Sequence, residues 1–232
     1  CPGLDVAVVS SVPPGGGLSS SAALELAMAH LLEVVTGQTL TPAERIQASV
    51  QAENEMAGIP CGIMDQTVVE LAESGQALLL DCADHTVRSI PLGSQAPALL
   101  VIHTGVSHSL AEGAYAQRRA ECEQASALLK VKTLRNVGSD QLTRLKSEML
   151  VHQRATHVVS ENERVHDAVA AIEQDRWDRL GVLMRASHRS LRDDYEVSCR
   201  ELDLLAELAT AERGVYGARM TGGGFGGSII VL

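Results

Sequence analysis

Pro13-Pro-Gly-Gly-Gly-Leu-Ser-Ser-Ser-Ala-Ala23 joins a β-branched run, Asp5-Val-Ala-Val-Val-Ser10, to a helical stretch from Ser20 to Val35 that stops at Gly37. The upstream run predicts a strand. The downstream stretch is apolar on nearly every face and predicts a buried helix. Between them, glycines let the backbone turn tightly and approach a ligand closely. Serines opening a helix leave amides and hydroxyls directed at one point, where the helix dipole also favours negative charge. The stretch reads either as a cradle for a polyphosphate or as an ordinary glycine turn with a serine cap. It is no Walker loop, since GxxxxGK[ST] has no match, and Ser20 takes the place of the third glycine of a dinucleotide fingerprint.

Downstream, Thr41-Pro-Ala-Glu44 has the form of a capping box with proline at the first helical position, opening a helix expected to run to Ala57 and end at Gly58. Ala43, Ile46, Val50, Glu53 and Ala57 share one face of it. Glu53 is thus a carboxylate on an apolar stripe, which requires a metal, a cation or a strong donor. A buried salt bridge is the alternative. The loop Ile59-Pro60-Cys61-Gly62 leads to a short helix from Asp65 to Ala72, closed by Gly75. At that junction Asp65 is either an N-cap or a working carboxylate.

Strands are expected at Ala77 to Cys82 and at Ala98 to His103, with the Pro91 to Pro97 stretch between them as the boundary of two domains, 1–93 and 94–232. From Ser107 to about Leu208 the pattern is mainly helical. The chain closes on Gly222-Gly-Gly-Phe-Gly-Gly227 and a strand from Ser228 to Leu232. Gly222-x-Gly224-x-x-Gly227 precedes a strand instead of following one, so it is no dinucleotide site. Arg192-Asp193-Asp194 reads as local pairing at a helix end. His152 and His157 lie five apart, off a common helical face, and are expected at the surface. Strands at both ends with helices between them argue for an α+β fold.

The 232 residues carry a net charge of −10, which disfavours a nucleic-acid or anionic-membrane surface and leaves any phosphate site to local amides and a metal ion. The five cysteines are widely spaced without a CxxC, which suits free thiols in a reducing, cytoplasmic setting. No apolar run approaches the ~18 residues of a membrane helix. The chain starts at Cys1 and enters a strand pattern at once, so it is expected to be a fragment.

Taken in order, these motifs resemble the galactokinases of the GHMP family of small-molecule kinases. Pro14-x-x-Gly17-Leu18-Ser19-Ser20-Ser21-Ala22-Ala23 is similar to the family's phosphate motif, Pro-x-x-x-Gly-Leu-[Gly/Ser]-Ser-Ser-Ala. Gln51-Ala-Glu53 followed by Gly58-x-Pro60-Cys61-Gly62-Ile63-Met64-Asp65-Gln66 resembles galactokinases more than other members. Met220 to Gly227 looks like the third family motif, a glycine turn packed on the active site. Ser187 to Ser198 is also galactokinase-like.

The resemblance implies an α+β, two-domain GHMP kinase fold, with an S5 domain 2-like N-terminal domain and a ferredoxin-like C-terminal domain, truncated at the N-terminus and also the C-terminus. It implies transfer of phosphate from ATP to the C1 hydroxyl of galactose by a cytoplasmic monomer. ATP phosphates would lie on Gly15, Gly16, Gly17, Leu18, Ser19, Ser20 and Ser21, with Mg²⁺ on Ser21 and Glu53. Galactose would be met by Gly62, Asp65 and Tyr115, with Asp65 as base. Ser107 departs from the Arg that relatives can carry there. A non-catalytic galactose and ATP sensor is the alternative, though the complete Ser19 to Ala23 run favours the enzyme. The family's first sugar-gripping motif is missing, so residues 1–232 alone are expected to turn over weakly or not at all.

Overall fold

Three helices and a hairpin form the first of two units in the computed structural model, which describes residues 3–56, 61–107 and 111–232. This unit ends at Pro91 and the second begins at Leu92. Helix α1 (Ser20–Thr36) stops where Gly37 adopts φ 70° and its N–H reaches back to the Glu33 carbonyl. Helix α2 (Pro42–Glu55) starts on the expected capping box: Thr41 Oγ1 accepts from the Glu44 N–H and the Glu44 carboxylate accepts from the Thr41 N–H. Where α2 was expected to end, at Ala57 and Gly58, lies outside the described residues. Helix α3 (Met64–Leu71) follows, then strands β1 (Gln76–Asp81) and β2 (Thr86–Pro91), paired antiparallel from Gln76↔Pro91 to Asp81↔Thr86.

Arg45 ties the helices together. Its guanidinium meets Glu33 of α1 at 3.2 Å and Glu70 of α3 at 2.7 Å, and donates to the Leu40 carbonyl at 2.7 Å. The apolar core is thin, with Ala22, Leu26, Val50 and Ile90 buried beside the polar Ser49, Glu53, Gln66 and Thr67.

Several expectations fail here. Asp5 to Ser10 forms no strand: no described segment pairs with it, so its backbone groups have no ladder to join. Val9 is 98% exposed. Helix α1 is not buried all round; only Ala22 and Leu26 are, while Val34 is 82% exposed. Pro91 is no linker residue. It closes β2, a strand the sequence reading did not include, and Asp84 Oδ1 accepts from the Thr86 N–H and hydroxyl to seat the hairpin turn.

The second unit holds a three-stranded antiparallel sheet in the order β3-β5-β4, with β3 (Leu100–Ser107), β4 (Ala218–Thr221) and β5 (Gly226–Val231). Between β3 and β4 run α4 (Ala111–Leu129), two short 3₁₀ turns, α5 (Met149–Glu173), α6 (Trp177–Asp193) and α7 (Arg200–Ala211). One apolar cluster, with Leu202, Met220, Ile229 and Val231, seats α6 and α7 on the sheet; another, with Ala125, Leu145 and Ala155, joins α4 to α5. The β4–β5 turn is the glycine run. Gly224 sits at φ 89°, and a Cβ there would come within 2.2 Å of the Val197 carbonyl oxygen, so only glycine fits. The α+β architecture is the expected one. Among the described residues no helix is long and apolar enough to cross a membrane.

Arg154 is 1% exposed and neutralised by Glu121 at 2.7 Å and by Glu196. His157, expected at the surface, is 6% exposed on the inward face of α5. Its Nδ1 lies 3.0 Å from Ser190 Oγ, whose own proton goes to Asp194 Oδ2 at 2.7 Å, so His157 carries its hydrogen on Nδ1. The ring stacks on Tyr195, and burial pushes its pKa down to about 4.

That burial makes stability depend on pH. Below the ordinary histidine pKa of ~6.5 the unfolded chain takes up a proton that the folded chain refuses until about 4. Stability is therefore intact above 6.5 and falls as the pH drops towards 4, by up to about 3 kcal/mol from this group. Urea unfolding at pH 7 and pH 4.5 should show a smaller loss in His157→Gln than in the unsubstituted protein.

Candidate functional site

The glycine-serine loop is shaped by three left-handed residues, Gly15 (φ 70°), Gly17 (φ 68°) and Ser19 (φ 57°). Ser19 is the N-cap of α1 yet makes no side-chain cap bond, and the first turn holds no acidic residue. The N–H groups of that turn are thus left to an incoming anion. Left-handed geometry at Ser19 also explains why the related motif takes glycine or serine there, since a larger side chain meets its own backbone.

Ser21 opens the other half of the site. Its hydroxyl donates to Glu53 Oε1 at 2.8 Å, across from α1 to α2. Glu53 is 6% exposed, as its place on the apolar stripe predicts. Among the described residues the buried salt bridge weighed for it is not formed: its partners there are neutral, Ser21 on one oxygen and Gln66 Nε2, 2.6 Å away, on the other. Cys61 lies against the same carboxylate, and burial together with that contact pushes its thiol up to about 11, leaving it protonated and inert.

Asp65 occupies the first turn of α3 and is not the cap, a position taken by Ile63. It lies near enough to Glu25 for its charge to act there. Burial, offset in part by the Gln66 hydrogen bond and reinforced by Glu53 and Asp65, raises the Glu25 pKa. Three carboxylates from three helices therefore converge on one neighbourhood. Among the described residues no trio of His, Cys, Asp or Glu is placed to hold a metal unaided. One hydroxyl and one carboxylate oxygen, completed by phosphate oxygens and water, are a donor set that fits Mg²⁺. The buried Gln66 Oε1, without a hydrogen-bond partner among the described residues, shows the same neighbourhood unfinished without a ligand.

Ser21, Glu53 and Asp65 are thus brought together in the first unit. Gly62 is exposed beside Cys61, with open space around its Cα, while Gly58 and Pro60 of the same motif lie outside the described residues. Tyr115 is on α4 of the second unit; its side chain, that of Ser107 and the neighbouring His108 lie outside the description. Arg192 pairs locally with Asp193 at 2.7 Å. Two participants escaped the sequence reading, Glu25 and Gln66. Glu25 was legible as the residue one helical turn beyond Ser21, and Gln66 as the neighbour of Asp65.

The family described as GHMP kinases N terminal domain matches residues 2–73, and that described as GHMP kinases C terminal matches residues 168–232, together more than half of the chain. Galactokinase of Homo sapiens is 46% identical over 233 residues, covering 100% of this chain and 59% of its own length. Galactokinase of Chloroflexus aurantiacus is 46% identical over 239 residues, covering 99% and 60%. The chain thus spans about three fifths of the length of the curated relatives it matches. The crystal structure of Lactococcus lactis galactokinase complexed with galactose superposes with a TM-score of 0.90 at 34% identity, over 95% of this chain and 59% of that one. L. major mevalonate kinase, in complex with R-mevalonate, has a TM-score of 0.60 at 22% identity and shares the fold.

The strained loop gives a test. Ser19→Val forces a β-branched side chain into the left-handed region and should cost about 1–2 kcal/mol, seen as a lowered thermal midpoint; Ser19→Gly should not lower it.

Proposed function

This chain belongs to the GHMP kinases, and on that premise we propose that its protein transfers the γ-phosphoryl group of ATP to the C1 hydroxyl of α-D-galactose, forming galactose 1-phosphate. The observation that carries the reading is the buried Glu53 carboxylate, held by Ser21 and Gln66 with no cationic side chain paired to it among the described residues, beside the open first turn of α1. That is the pairing a phosphoryl-transfer site needs: donors for phosphate oxygens and an anionic ligand for the accompanying metal. The relatives named above are galactokinases, one of them with galactose bound, which supports the choice of sugar.

The chain's residues then divide the work. The loop from Gly15 to Ser21 cradles the phosphates with backbone N–H groups and the α1 dipole. Ser21 Oγ and the Glu53 carboxylate would hold Mg²⁺, which would supply positive charge against that developing on the phosphoryl oxygens. Gly62 and Asp65 meet the sugar. Asp65 accepts the hydroxyl proton late, when the attacking oxygen has acquired acidity in a loose transition state, so an ordinary carboxylate suffices. Its position at the start of α3, one residue before the Gln66 that meets Glu53, supports this reading of the base.

In the intact protein, Asp65→Asn should lower turnover about 10³-fold in a coupled ATP and galactose assay, while calorimetry shows galactose affinity retained. Turnover close to that of the unsubstituted protein would remove Asp65 from the mechanism.

A further inference from the structure

Gln66 stands next to Asp65 on α3, is 0% exposed, and has no part in the chemistry above. Its Nε2 donates to Glu53 Oε2 at 2.6 Å and to Glu25 Oε2 at 3.2 Å. An amide nitrogen has two hydrogens, and here two carboxylates take both. Turning the amide over would set its oxygen against both acids at once, so Glu25 and Glu53 alone fix which end faces them.

The constraint also runs the other way. Each Glu53 oxygen receives one donor, Ser21 Oγ from α1 on Oε1 and Gln66 Nε2 from α3 on Oε2. A donor on each oxygen fixes the plane of the carboxylate, beside which the Cys61 thiol also lies. Glu25 lies one turn after Ser21 on the same helix, so the acid that anchors Gln66 and the hydroxyl that shares the cation move as one body. A third carboxylate at this point would only add repulsion to Glu53 and Asp65 unless it had such a task.

We infer that Gln66, anchored by Glu25, is a positioning residue that holds the Glu53 carboxylate in register with the Ser21 hydroxyl for the divalent cation that accompanies the nucleotide. This rests on the phosphoryl-transfer reading proposed above. It assigns Gln66 an outer-shell role, of the kind whose loss weakens metal affinity more than it weakens the fold.

The test uses the intact protein with Mn²⁺ and a non-hydrolysable ATP analogue, reading free Mn²⁺ by electron paramagnetic resonance. Gln66→Met keeps the volume and removes the donors; it should weaken Mn²⁺ binding about tenfold or more. Galactose affinity and the thermal midpoint should stay close to those of the unsubstituted protein. Glu25→Gln replaces the charged acceptor that anchors the amide by a weaker neutral one while the Glu53 bond remains, and should weaken Mn²⁺ binding in the same direction by less. If Gln66→Met does not fold, Glu25→Gln decides alone. Mn²⁺ affinity unchanged in the folded variants overturns the inference, as does a parallel fall of Mn²⁺ affinity, galactose affinity and midpoint, which would make Gln66 a packing residue only. Failure of the unsubstituted protein to bind Mn²⁺ with the analogue would instead sink the phosphoryl-transfer reading, and this inference with it.

Discussion

A carboxylate taken out of water must be given hydrogen bonds or a counter-charge, and the first unit is arranged around that demand at Glu53. The acid faces inward because its place on α2 is set by the same periodicity that turns Val50 inward. Once there, it draws a hydroxyl from α1 and an amide from α3. Three helices that bury only a few apolar side chains between them are thereby held in one register by polar contacts. The Arg45 bridge to Glu33 and Glu70 does the same at another point of these helices. Neither set of contacts tolerates a shift of one helix along another, because hydrogen bonds lose their strength within a fraction of an ångström while apolar packing yields more gradually.

The second unit is built differently. Its sheet and helices share large apolar clusters, and its buried charges Arg154 and Glu121 are paired with each other, with the exposed Glu196 as a second partner of Arg154. Such a pair is closed: each charge already has its partner and has no need of a ligand. Glu53 differs in having donors but no cation, and Gln66 in having an oxygen left over. Buried polar groups that end incomplete are where a ligand is expected to enter, and this contrast separates a candidate site from a structural ion pair more surely than burial alone.

Local rules made much of this legible in the sequence. Capping box, glycine stop and amphipathic period each act over a turn or two of chain, so α1, α2, the helical character of the second unit and the inward face of Glu53 could be read directly. What could not be read depends on partners distant in sequence. Asp5 to Ser10 has strand composition but no described neighbour to pair with, and composition cannot supply one. His157 was misplaced because its burial comes from Ser190 and Tyr195, some thirty residues or more away. Gln66 and Glu25 show the same limit within the site, since their meeting at 3.2 Å joins residues 41 apart.

The phosphate site proposed for this acidic protein raises a question of charge, which has a local answer. The net charge of −10 disfavours a trianionic or tetraanionic ligand at long range, but that field is screened over about 10 Å of salt solution. Within that distance the loop offers backbone N–H groups, serine hydroxyls and a helix N-terminus, with no lysine or arginine between Pro13 and Ala23. Amides alone cannot offset several phosphate charges with Glu25, Glu53 and Asp65 beside them. A divalent cation resolves both sides together, being attracted by the three acids and in turn attracting the phosphates. On this argument the acids do not oppose nucleotide binding but make it conditional on the metal, so that cation and nucleotide bind as one unit.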